Sequence, residues 1–433
     1  MISISGGLIV TRASSESALG KDFRAQVLTK PQPLLLAGGV MLALATFPGL
    51  PALTFLALGG GLGLVGWRKR QAMLAAEKEL ALKKAPGAQE KENLDALLKV
   101  DPLAVEIGLG LIRMVEGGPN SPLLRRIGGI RRQLATDLGY LLPPVRVTDN
   151  LSLKAGEYTI LLKGVEIARY ELPPGCDMAI ASAPGGKAPE SGTPAKEPAF
   201  GLDAWWIPQT ISEKTRSQGF TVVDPVSVVA THLGEIIRRH AHELFSRQDA
   251  KKFLDRVGAE SQKLVEDLVP KLLPLSVVQR VLQNLLRERV SIRDGVSILE
   301  ALSEAAQITK NPVLLTEYVR QALRRVIVQP YLDASGNLSV FFLDPSLEQV
   351  IESSMEHGEH ASHLNLPPQR MRDLIERLTR GLGGGHSAAV LLTSAGARHA
   401  VRQLVEPSLP QVAVLSHGEV PAGVKVVSLG MIQ

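Results

Sequence analysis

The stretch PQPLLLAGGVMLALATFPGLPALTFLALGGGLGLVGW, residues 31–67, runs for 37 residues without one Asp, Glu, Lys, Arg or His. A charge inside a bilayer costs a few kcal/mol at least, so a gap of this length points to a membrane segment. One spanning helix takes about 20 apolar residues. Here Pro48-Gly49-Leu50-Pro51 divides the run, and Pro-Gly pairs mark turns. The predicted form is a transmembrane helical hairpin with helices at 32–47 and 52–67. Arg12, Lys21, Arg24 and Lys30 precede it, and Arg68, Lys69 and Arg70 follow it. Positive charge on both flanks puts both ends in the cytoplasm. Trp67 is placed as an interfacial anchor, and Gly38, Gly39, Gly59, Gly60, Gly61 and Gly63 permit close helix packing. The competing reading, a hairpin buried in a soluble core, is disfavoured by the lack of even a scattered charge. A cleaved signal peptide fits less well, because the run starts too far into the chain. Residues 1–30 read as the end of a preceding membrane segment and a cytoplasmic loop.

Outward from this run the composition changes at once. Of the 33 residues from 68 to 100, 13 are charged, which reads as a linker with helical tendency. The whole chain of 433 residues is long enough for several domains. Its cores must be built from aliphatic residues, because only 4% of the residues are aromatic. A net charge of +5, not gathered into basic runs, argues against a nucleic-acid binder. The single cysteine, Cys176, excludes an internal disulfide.

From Asp101 the pattern is mixed α/β. A helix is predicted over 120–138, with strands at 145–147 and 158–162. Residues 181–197 are rich in Pro, Gly and Ser and read as an exposed loop. A strand at 219–223 leads to Asp224-Pro225, a helix-start signal, and a helix over 226–240. Leucines at helical spacing make 245–325 nearly all helical. Strands return at 338–342, 389–392, 412–415 and 425–428.

No catalytic constellation emerges. Ala183-Pro184-Gly185-Gly186-Lys187 lacks the full phosphate-loop pattern. Gly383-Gly384-Gly385-His386 reads as a flexible turn. His357, His360 and His363 recur every third residue, yet Gly358 lies among them and the segment reads as a solvated loop or helix end, with no metal. Cys176 follows Pro173-Pro174-Gly175 in a turn without a nucleophile motif. The chain is therefore expected to be no enzyme and to carry no cofactor.

Several stretches together resemble the FlhA/FHIPEP family of flagellar type III protein export gates. They are VEIGLGLIRMV, LLRRIGGIRRQLATDLGYLLPPVRVTDN, LLKGVEIARYELPPG, PAFGLDAWWI, GFTVVDPVSVVATHL, HAHELFSRQDAKKFLDRV and the ending LPQVAVLSHGEVPAGVKVVSLG. The wording of VVDPVSVVATHL, FSRQDAKKFL and VVSLG favours the flagellar branch over the export gate of virulence type III secretion. A divergent membrane-anchored scaffold is the other alternative. The resemblance implies a membrane hairpin plus a multi-subdomain α/β (α+β) cytoplasmic domain. In it, 101–174 with 225–244 form a thioredoxin-like subdomain, 175–224 a ferredoxin-like insert and 245–325 a helical subdomain. Residues 326–433 form a second thioredoxin-like subdomain. It also implies a location in the bacterial inner membrane, with the large domain in the cytoplasm, and a homo-oligomeric, nonameric ring. The implied partners are flagellar export chaperones with bound substrates, other membrane proteins of the gate, the export ATPase complex and the lipid bilayer.

The family's RFxLDxxPGKQM signature, and about six membrane helices before it, are absent from these 433 residues. The chain is accordingly expected to be a fragment, a mis-called start or a split gene that carries docking but not the complete gate. In the family, chaperone–substrate complexes dock in a hydrophobic dimple. Matched residue by residue, it falls on Ile180, Pro198, Phe200, Val223, Val228 and Thr231, with Glu197 where the family has aspartate. From spacing alone, Val228 and Thr231 lie three apart on one helix face. Without the resemblance, these residues read rather as the core between a strand and a helix.

Overall fold

The computed structural model describes residues 31–45, 52–82, 100–181, 188–189, 191–383 and 389–433. The chain divides into two units, 1–99 and 100–433. In the first unit, α1 (Pro31–Leu44) and α2 (Ala52–Leu82) pack against each other. The proposed break at 48–51 lies outside the described residues. α1 has 14 residues. At 1.5 Å per residue it is about 21 Å long, short of a hydrocarbon layer of about 30 Å. α2 runs on through Arg68, Lys69 and Arg70, well past the predicted end at 67. Among the described residues, no helix is long and apolar enough to cross a membrane.

Among the described residues, the second unit is built on three four-stranded sheets and a group of helices. The first sheet has the order β2-β1-β3-β4 (Arg146–Asp149, Leu103–Ile107, Glu157–Leu162, Val165–Glu171). β1 alternates buried and half-buried residues, with Leu103, Val105 and Ile107 turned inward, as a half-covered strand requires. α3 (Pro122–Leu138) starts on a Ser121 cap and buries Leu123, Ile127, Leu134 and Leu138 on one stripe. It ends at Gly139, φ +87°, where an added Cβ would sit 2.4 Å from the Arg293 nitrogen, so only glycine closes this end.

The second sheet is antiparallel throughout, β6-β7-β5-β8 (Thr193–Lys196, Asp203–Pro208, Cys176–Ile180, Thr221–Val223), with α4 (Ser212–Ser217) before β8. Here the structure corrects the sequence. Residues 193–196, expected in a loop, pair with β7, Pro194 standing opposite Trp205. Proline is tolerated because β6 is an edge strand. Cys176, expected in a turn, opens β5. The glycine-lysine stretch at 183–187 lies outside the described residues.

Next come α5 (Pro225–Arg239), the single turn α6 (Ala241–Leu244), α7 (Arg247–Glu260), α8 (Gln262–Leu268), α9 (Leu275–Arg287), α10 (Gly295–Ala305), α11 (Pro312–Ala322) and α12 (Arg324–Val328). Their leucines fill the core, as the helical spacing predicts; Val278, Leu282, Leu285, Leu299 and Leu302 are fully buried.

The third sheet is parallel, β13-β12-β9-β14 (Ala413–Ser416, Val390–Thr393, Asn337–Leu343, Lys425–Ile432). It carries α13 (Pro345–Ser353), α14 (Pro368–Leu382) and α15 (Ala395–Val405). His357 and His363 lie on a small hairpin, β10 (Met355–His357) with β11 (Ser362–Leu364), rather than in a loop or helix end. His357 Nδ1 is 2.8 Å from the Ser362 hydroxyl. Among the described residues, no group of His, Cys, Asp and Glu is placed to hold a metal.

A buried ion cluster joins the helices to this sheet. Arg398, fully buried, reaches Glu288 at 2.5 Å and Glu317 at 2.5 Å. Arg320 pairs with Glu288 at 3.1 Å and Glu419 at 2.5 Å. The two guanidinium groups also cap the edge of β13, both donating to the Val414 carbonyl at 3.5 Å. Arg402 donates to the Val412 carbonyl at 2.6 Å. The outward carbonyls of this edge strand are thus occupied by side chains, which blunts it against further pairing.

Candidate functional site

The antiparallel register sets Thr221 opposite Ile180 and Val223 opposite Met178. Ile180 and Val223 are therefore diagonal neighbours on one sheet face, both half-buried against the core. Asp224 ends the strand and caps α5, accepting the Ser227 N–H at 3.2 Å and its hydroxyl at 2.5 Å. Pro225 takes the first helical position, where no N–H is needed. Val228 is 2% exposed and belongs to the core, whereas Thr231 is exposed. Three residues turn a helix by about 300°, leaving these side chains about 60° apart. That angle suffices to carry Thr231 out of the core, so the two do not share one accessible face.

The other candidates form a turn between β6 and β7. Glu197 is 5% exposed, and its carboxylate accepts the N–H groups of Ala199 at 2.9 Å and Phe200 at 2.7 Å. Its own N–H donates to the Leu202 carbonyl, and its carbonyl accepts from Gly201, both at 2.9 Å. Gly201 takes φ +71°, a left-handed conformation that suits glycine. From α5, Arg239 donates to the Ala199 carbonyl at 2.9 Å. A carboxylate accepting two main-chain donors and a guanidinium on the adjacent carbonyl fix the turn at both ends. Held this way, Phe200 remains 57% exposed and Leu202 49% exposed, while Pro198 is half-buried. The chain thus spends a network of charged groups to hold an aromatic ring in solvent.

Arg239 is itself positioned by Glu235, 3% exposed, at 3.0 Å; the same carboxylate takes Arg289 at 2.8 Å and Arg238 at 3.4 Å. Sequence reading missed Leu202, Glu235, Arg239 and Arg289. The Glu235–Arg239 spacing of four on a helix was a legible pairing signal. Nothing local marked Arg289, which sits at φ +60° in a loop. Also on α5, His232 Nδ1 lies 2.8 Å from the Tyr158 hydroxyl. Burial lowers the His232 pKa to about 4, so the ring is neutral near pH 7 and serves packing.

The pattern of the FHIPEP family matches residues 1–425. The chain is 38% identical over 431 residues to the flagellar biosynthesis protein FlhA of Proteus mirabilis, covering 98% of this chain and 61% of that protein. It thus spans about three-fifths of that relative's length. Among solved structures, the CdsV protein of Chlamydia pneumoniae superposes with a TM-score of 0.70 at 28% identity, covering 77% of this chain and 98% of that one. The nonameric EscV cytosolic domain of a type III secretion system gives 0.62 at 25% identity, over 77% and 97% of the two chains.

Proposed function

The chain belongs to the FHIPEP family, and from that premise we propose that it serves flagellar type III protein export. Its 100–433 unit docks export chaperones with their bound substrates on the surface formed by Ile180, Pro198, Phe200, Val223 and Thr231, with the buried Glu197 and Val228 supporting it from beneath. The observation that carries this reading is the exposed Phe200 on a turn locked by Glu197 and Arg239. Aromatic anchors at rigid positions dominate the energetics of protein interfaces. The identity to relatives named for flagellar biosynthesis favours the flagellar branch over a virulence gate.

In this reading the uncharged run 31–67 anchors the chain in the bacterial inner membrane as a hairpin, the large unit facing the cytoplasm. The subdomains are thioredoxin-like (101–174 with 225–244), ferredoxin-like (175–224), helical (245–325) and thioredoxin-like again (326–433). Thioredoxin-like is a statement of fold, since the lone cysteine rules out a CxxC pair. Copies assemble into a ring, as the nonameric relative does. The other membrane proteins of the gate and the export ATPase complex are its further partners. No catalytic role is assigned. Co-elution of the 433-residue chain with a purified flagellar chaperone–filament-protein complex tests docking. It is expected for the wild type and lost in Phe200→Ala; retention in Phe200→Ala would remove the assignment.

A further inference from the structure

Beside the Phe200 turn a cleft of about 900 Å³, lined by neither Val223 nor Thr231, opens toward residues 410–415 and the loop after α12. Its size lies within the range of about 300–1,000 Å³ typical of ligand sites. Three features give it a chemical character. Its rim carries exposed apolar groups: Phe200 at 57%, Leu202 at 49% and Val326 at 50%. Its charge is uneven, because the single buried carboxylate of Glu235 is shared by Arg238, Arg239 and Arg289. Among the described residues Arg238 alone of the three has a second acid, Asp137 at 3.7 Å. The lining as a whole sets Arg239, Arg289, Arg320 and Arg402 against Asp137, Glu235 and Glu288, so the cleft keeps a positive surplus at Arg239 and Arg289. Deeper in, Arg402 is 9% exposed and its Nε has no hydrogen-bond partner among the described residues. The Arg402 guanidinium rests on the carbonyls of Val412 and Pro410, with Glu406 4.0 Å away.

We propose that this cleft is a second docking site, for a short acidic peptide segment that carries an aliphatic or aromatic side chain. The segment's carboxylates answer Arg239 and Arg289, and its apolar side chain packs on Phe200, Leu202 and Val326. Strand addition is not the mode. The carbonyls of Val414 in β13 and of Val412 just before it already accept from Arg398, Arg320 and Arg402. Recognition therefore rests on side chains. A carboxylate meeting two guanidinium groups in a partly enclosed site gains charge-assisted hydrogen bonds that a neutral or basic segment cannot make. The site lies apart from the strand–helix surface proposed above and shares only Phe200 with it.

The probe is a fluorescein-labelled hexapeptide, Glu-Phe-Glu-Leu-Asp-Glu, titrated by anisotropy with the full 433-residue chain; the control replaces every acid by lysine. Saturable binding of the acidic probe alone is expected, weakening as NaCl rises from about 0.05 to about 0.3 M. Arg289→Gln and Leu202→Ser should each weaken it about five-fold or more, while Arg289→Lys stays within about two-fold of wild type. Leu202 is exposed, so its variant still reports if Arg289→Gln fails to fold. Thr231→Glu, outside the cleft, should leave peptide affinity within about two-fold, which separates this site from chaperone docking. Equal binding of the lysine probe, no saturable binding of the acidic one, or an equal loss in Thr231→Glu would overturn the proposal. So would displacement of the probe by sodium tripolyphosphate at lower concentration than by unlabelled peptide, which would make the cleft a polyanion site.

Discussion

Arg239 donates through Nη2 to the main-chain carbonyl of Ala199 at 2.9 Å, tying the last turn of α5 to a turn 40 residues earlier. Around that bond stand Glu197 on one side and Glu235 on the other. A bond from a charged donor contributes about 1.5–3 kcal/mol. Arg239→Ala should therefore speed amide hydrogen exchange at Ala199 and Phe200 while leaving the first sheet protected. Glu197→Ala should do the same, and Glu197→Asp should keep most of the protection. Unchanged exchange in Arg239→Ala would mean that the turn holds itself.

The cluster of Arg398, Arg320, Glu288, Glu317 and Glu419 should set the stability of the joint between the helices and the third sheet. Arg398→Met strands Glu317 and leaves Glu288 with Arg320 alone, and breaking a buried pair costs about 3–5 kcal/mol. Thermal unfolding should show a large loss, partly recovered in Arg398→Met/Glu317→Gln. An additive double variant would deny the coupling.

Burial lowers both His232 and His399 to about 4. The unfolded chain protonates them near pH 6.5 and the folded chain does not, so the stability they confer is complete above about pH 6.5. It is lost as the pH falls toward 4, by up to about 1.4 kcal/mol per pH unit for each histidine. Urea unfolding between pH 5 and 7 checks the slope. His242, also lowered by burial, adds to the slope, and His232→Phe should make it shallower.

The proposed membrane anchor has its own test. Carbonate extraction of bacterial membranes carrying the chain should leave it in the pellet, and deletion of residues 31–67 should move it to the supernatant. Release of the intact chain would contradict the anchor, whose first helix spans only 14 residues.

Much of this architecture was legible because local chemistry and tertiary structure agree. Asp224-Pro225 reads as a helix start, and Asp224 does cap α5. Leu282, Leu285 and Leu286 repeat at helical spacing and are buried with Val278 and Val281. Legibility failed where pairing partners lie far away in sequence. Thr193–Lys196 has turn-like composition but becomes a strand because β7 offers an edge. The histidine triplet reads as a solvated loop or helix end, whereas His357 and His363 lie on a hairpin. At the site, Phe200 and Glu197 could be singled out only by resemblance. Arg289 reaches Glu235 across 54 residues, a relation that no local pattern encodes.

The most direct measurement is a calorimetric titration of a flagellar chaperone–substrate complex into the 433-residue chain and its Phe200→Ala variant. With Phe200 57% exposed, truncation should leave the fold and melting temperature unchanged. Affinity should fall more than about ten-fold, as loss of an interface anchor predicts. Equal affinity for the two proteins, with both folded, would contradict the account.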